Sequence, residues 1–195
     1  MNKQIELDKL KKKMLLDDSL PLKKGATNLV FGVGSADTQI LFIGEGPGFY
    51  EDQKAEPFVG RSGQLLDRGL NAIKLSRNTV FITNIVHHRP PENRDPEPIE
   101  IAAYGKYLDK IIEIIEPKVI VTLGRFSMAK FISNVRITAI HGQVHNVEFK
   151  GRKVVVVPMF HPAAALRGQG VMNMFKRDFL ALPEILSRVV KKDDK

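Results

Sequence analysis

Short, unbroken apolar runs alternate along the chain with longer stretches in which apolar positions recur every three or four residues. Residues 39–43, 79–83 (TVFIT) and 119–123 (VIVTL), together with Val154-Val155-Val156-Val157, read as strands covered on both faces. Residues 63–74 place Leu65, Leu66, Leu70 and Ile73 on one side and predict a helix with Ser62 as its N-cap. A second helix starts at Pro98, after a proline-rich loop, and stops before Pro117. Residues 2–16 read as an amphipathic helix with Ile5, Leu7, Leu10, Met14 and Leu15 inward, and residues 17–37 as loop. The loop of residues 49–62 is acidic and then aromatic, with Asp52 and Glu56 as solvated charges. A short helix through Phe131, a hairpin turning at Lys150-Gly151, a helix over residues 171–190 and a charged tail over 191–195 complete the pattern. Strands separated by helices imply βαβ units and a mostly parallel sheet covered on both faces.

The polar motifs fall at informative places. Gly44-Glu45-Gly46-Pro47-Gly48 follows the first apolar run, Asn84 follows the second, and His161-Pro162-Ala163-Ala164-Ala165-Leu166-Arg167 follows the last. All three should gather at the carboxyl edge of the sheet, where open α/β folds bind ligands.

The chain of 195 residues is 43% hydrophobic, enough for one domain spanning residues 1–195. A net charge of +8 favours a polyanionic partner, nucleic acid before membrane. The absence of cysteine excludes disulfides, thiolate metal sites and cysteine nucleophiles. No run reaches membrane-span length and no signal-peptide core is present, so a cytoplasmic, nucleoid-associated protein is expected.

GEGPG, then PFVGRSGQLLD, then TNIVHHRPPENRDPEP, then FHPAAALR, in this order and spacing, resemble the family 4 uracil-DNA glycosylases of the uracil-DNA glycosylase superfamily, over about residues 30–167. The resemblance implies a three-layer α/β/α sandwich around a four-stranded, mostly parallel sheet. It also implies a hydrolase that cuts the bond between uracil and deoxyribose and leaves an abasic site for base-excision repair. Its implied partner is uracil-containing DNA, single- or double-stranded, bound by a monomer. Other deaminated bases (hypoxanthine, xanthine) are alternative substrates if Gly46 and Gly48 leave the pocket floor open. A non-catalytic binder of uracil-containing or abasic DNA is the alternative of another class.

By the same resemblance, Phe58 stacks on the flipped base and Asn84 reads it, an amide offering the donor and acceptor that match uracil O4 and N3–H. His161 is the implied catalytic residue, donating to uracil O2 as the base departs as an anion. Where the best-known branch of the superfamily has a water-activating aspartate, this chain has Gly46. Glu51 and Glu45 are the available carboxylates, either of which can orient water or stabilise the sugar cation. Leu166 and Arg167 resemble a minor-groove wedge with its phosphate anchor. Arg61, Arg89 and Arg94, with Lys150 and Arg152, are further phosphate contacts. His141 stands near the place where one branch traps DNA covalently through a histidine, but the basic insertion of that branch is missing here.

One departure is large. Family 4 members hold a four-iron–four-sulfur cluster on four cysteines, and the flanking motifs put Asp17, Leu20, His88 and Tyr104 at those places. Leu20 cannot ligate iron, and such a cluster needs thiolates. No cofactor and no metal are therefore expected, with packing around Leu20 and Tyr104 in the cluster's stead. A zinc site from Asp17, His87 and His88 is the alternative.

Overall fold

Each apolar run becomes a strand with little or no access to water, because alternate side chains enter different layers. The computed structural model describes residues 2–190, so the tail of residues 191–195 lies outside the described residues. Strands β1 (Val33–Gly34), β2 (Ile40–Gly44), β3 (Phe81–Asn84), β4 (Val119–Leu123), β5 (His145–Phe149) and β6 (Arg152–Met159) form one sheet, in the order β1-β3-β2-β4-β6-β5. The four inner strands are mutually parallel, as expected; β1 and β5 add antiparallel edges, making six where the resemblance implies four. The two-residue β1 carries no periodic signal, which is why residues 17–37 read as loop.

Helices cover both faces. On one, Leu41, Ile43, Ile120, Val154 and Val156 meet α1 (Lys3–Leu15) and α4 (Pro98–Ile115) through Leu7, Met14, Tyr104, Leu108 and Ile111. On the other, Phe42, Val121, Val155 and Val157 meet α3 (Arg61–Ala72) and α8 (Gln169–Val190) through Leu66, Leu70, Phe175 and Phe179. Phe42 and Phe179 lie nearly parallel with ring centroids 6.1 Å apart. This is the expected three-layer sandwich.

The helices correct the reading in detail. Leu7 and Met14 of α1 are buried and Leu10 is half-buried, whereas Ile5 and Leu15 are 51% and 46% exposed. A stripe of spacing three and four passes through positions 7, 10 and 14 and leaves 5 and 15 on its flanks. Helix α3 starts at Arg61 with Gly60 as its N-cap, two residues before Ser62. The stretch read as loop over residues 49–62 holds α2 (Phe49–Lys54), two stretches without an expected element form α6 (Ile137–Ile140) and α7 (Pro162–Ala165), and the helix expected through Phe131 is α5 (Arg125–Ala129). Each of the three unforeseen helices has six residues or fewer, too short to display a hydrophobic period.

Candidate active site

Parallel register brings the strand ends together: Gly44 pairs with Asn84, and Gly124 N–H donates to Met159 C=O beside the turn into His161. A Cβ on Gly44 would lie 2.4 Å from Asn84 Oδ1 and 2.6 Å from Phe58 Cζ, so only glycine lets these two side chains close over the strand end. The Phe58 and His161 rings stack at 30° with centroids 5.6 Å apart. Asn84 and Phe58 are buried and His161 is half-buried. The structure thus sets an aromatic ring and an amide over one glycine, with an imidazole stacked on the ring.

Phe58 occupies a left-handed backbone conformation (φ 55°), which costs a non-glycine residue roughly 1 kcal/mol or more unless its surroundings hold it there. Three groups do so. Glu51 Oε1 accepts from the N–H groups of Val59 (3.1 Å) and Gly60 (3.0 Å). Arg77 donates to the carbonyls of Pro57 (2.8 Å) and Phe58, and is itself paired with Asp67 at 2.7 Å and Glu56 at 3.5 Å. Gly63 leaves room for the Phe58 carbonyl, which would lie 1.6 Å from a Cβ there. Sequence reasoning singled out neither Arg77 nor Gly63, and it placed Glu56 in solvent. Asp52 is a clearer correction. It is 2% exposed and accepts from the N–H groups of Thr27 (2.9 Å) and Asn28 (3.0 Å), tying α2 to the first loop. Burial opposes its charge, but the donors of Asn28 and Thr27 outweigh this and hold its carboxyl below the usual range.

His161 caps α7, and its Nδ1 accepts from Ala163 N–H at 3.1 Å. With Nδ1 occupied as an acceptor, a neutral ring carries its proton on Nε2. Burial, then the charge of Arg167, pushes its pKa down to about 4, so the ring is neutral at pH 7 and offers Nε2–H as a donor.

The remaining candidates divide. Glu45 turns away from Phe58: its Oε1 accepts from Phe126 N–H at 3.1 Å, and a Cβ on Gly124 would collide with its carboxyl. Burial pushes its carboxyl up, opposed by the Phe126 N–H. A Cβ on Gly46 would lie 2.9 Å from Val86 Cγ2, and one on Gly48 would lie 2.8 Å from Glu51 Oε2, so neither glycine opens a pocket floor. Leu166 packs partly against the α8 face of the core, while Arg167 and Arg61 are exposed. Arg89 donates to Asn93 Oδ1 at 2.8 Å. Arg94 is committed to a two-pronged pair with Glu100 (2.6 and 2.9 Å). Lys150 pairs with Glu113 and Arg152 with Glu116 at 3.3 Å. Both stand at the start of β6, the opposite end from His161, and so leave the set of candidates. His141 pairs through Nδ1 with Asp178 Oδ2 at 2.6 Å, its ring 4.6 Å from that of Phe160.

The residues at the family's cluster positions do not fit an iron–sulfur group. His88 Nδ1 and the Tyr104 hydroxyl hydrogen-bond at 2.7 Å, and the backbone of Leu22 also reaches the Tyr104 oxygen. Leu20 and Tyr104 are buried in the same core, and Asp17 accepts from Lys106 at 2.8 Å and from the Tyr107 hydroxyl at 2.7 Å. Nor do Asp17, His87 and His88 converge on a zinc ion. Thr83 gives its hydroxyl proton to Phe31 C=O at 2.7 Å and so accepts from His87 Nε2 at 3.2 Å. Among the described residues no three histidine, aspartate or glutamate side chains form a metal-holding group, and no helix is long and apolar enough to cross a membrane.

Comparison with known proteins matches residues 31–182 to the uracil DNA glycosylase superfamily. A type-4 uracil-DNA glycosylase of Archaeoglobus fulgidus is 42% identical over 188 residues, covering 93% of this chain and 94% of its own. Those of Saccharolobus solfataricus and Thermotoga maritima are 43% and 40% identical, covering 85% and 89% of this chain and 80% and 88% of their own. With its parallel sheet and with Asn84, Phe58 and His161 gathered at the strand ends, this chain belongs to the uracil-DNA glycosylase superfamily.

Proposed function

We propose that this protein is a monofunctional uracil-DNA glycosylase that opens base-excision repair by hydrolysing the glycosidic bond of deoxyuridine. The observation that carries the reading is the closing of Asn84 and Phe58 over Gly44, with a neutral, Nε2-protonated His161 stacked on Phe58. The flipped uracil stacks on Phe58, and the Asn84 amide matches its O4 and N3–H. As the bond breaks, negative charge gathers on the base, and His161 Nε2–H donates to O2 without having to be charged. Leu166 fills the space the nucleotide leaves, and Arg167 and Arg61 hold phosphate. Glu51 carries the negative charge facing the sugar and orients the water, while Glu45 keeps the turn in shape.

The reading includes a monomer acting on chromosomal DNA in the cytoplasm, supported by the charge of +8, and an enzyme without a cofactor, supported by the cysteine-free sequence. The test is uracil release by protein freed of iron and zinc. Wild type should cleave, and His161→Ala and Asn84→Ala should each be slower by about two orders of magnitude or more. DNA binding without base release by wild type would refute the reading and favour a binding protein; full activity in both variants would refute the residue roles.

A further inference from the structure

Two large aromatic side chains stand in water beside the pocket. Phe49 and Tyr50, at the start of α2, are 49% and 62% exposed and meet edge to face with centroids 5.5 Å apart. The Arg89 guanidinium lies 5.2 Å from the Phe49 ring centroid, its Nε fixed by Asn93. On the other side, Tyr50 Cδ2 is 3.8 Å from the position of a Cβ on Gly60, in the turn that starts α3. The next residue, Glu51, holds the N–H groups of Val59 and Gly60, so the pair is coupled through one side chain to the loop that presents Phe58.

Burying the exposed remainder of either ring would be favourable. Aromatic faces next to an arginine, on a chain of net charge +8, suit a ligand with flat faces and a negative backbone. We infer that Phe49, Tyr50 and Arg89 form a stacking platform for an unpaired DNA base next to the flipped nucleotide. In a duplex that neighbour is already stacked and paired, so the platform favours single-stranded DNA. Only the identity of the neighbouring nucleotide rests on the glycosylase reading; the platform itself can be tested without uracil.

The chain has no tryptophan and three tyrosines, of which Tyr104 and Tyr107 are buried. All three emit, but only Tyr50 is open to contact with an added base, so a change in tyrosine fluorescence on adding DNA reports on Tyr50. Titration of wild type with uracil-free oligothymidylate should quench it. Phe49→Ala and Tyr50→Ala should each weaken single-strand binding about tenfold while leaving the salt slope unchanged, since no charge is lost. Arg89→Ala should flatten that slope by about 0.7. Duplex affinity should change less than twofold in the aromatic variants. Absent quenching, an equal loss on duplex, or self-association that Tyr50→Ala abolishes would overturn the platform. Quenching by a wild type that releases no uracil would leave the platform standing and sink the glycosylase reading instead.

Discussion

A histidine that must donate a hydrogen bond can do so neutral or charged, and the surroundings of His161 select the neutral form. Ala163 N–H occupies Nδ1, and burial pushes the pKa to about 4. Acid activity should reflect this. On a uracil oligonucleotide, kcat should stay level from pH 8 to about 5 and fall only as pH approaches about 4. A limb near pH 6.5, the ordinary histidine value, would mean that the ring is hydrated and its tautomer unfixed. At this scale the placement of Asn84 and His161 is legible, because each follows directly on an apolar run. The sequence is silent on Arg77 and Gly63 and puts Asp52 in solvent, because their roles depend on carbonyls and N–H groups that only the folded loops bring to them.

Among the elements, the long strands and helices were legible because period and burial agree over many residues, as in β6 and α4. The pieces that shape the site, α2 and α7, were not, since six and four residues show no period. The loop before α3 carries strain at Phe58 and has no slack. Gly63→Ala should therefore displace the Phe58 carbonyl and reduce kcat/KM by about a hundredfold, as an ångström of misplacement can. The matched control is Gly105→Ala within α4, where a Cβ meets nothing within 4 Å. It should raise unfolding stability by about 0.5–1 kcal/mol without touching activity. Equal kcat/KM in the two variants would show that the loop accommodates the methyl group.

Across the whole molecule, three histidines are held neutral by the fold. Burial, with His88 beside it, takes His87 down to about 3; burial, then Lys23, takes His88 to about 4; His161 stands at about 4. Each ordinarily titrates near 6.5, so between pH 6.5 and about 4 the unfolded chain binds up to three more protons than the folded one. Stability from these groups is complete above pH 6.5 and is lost as pH falls. Urea midpoints should drop steadily over that interval, and a flat profile would mean that His87 and His88 are reached by water.

The contacts of Asp17, His88 and Tyr104 join the segment after α1, the loop after β3 and helix α4. Every atom of that join belongs to the polypeptide. These hydrogen bonds lie against the core that packs Leu20 and Tyr104, so the three segments are held together by the same side chains that bury that core. Its bonding groups are a carboxylate, an imidazole and phenols rather than thiolates, so an oxidant that attacks thiolate sulfur finds none among them.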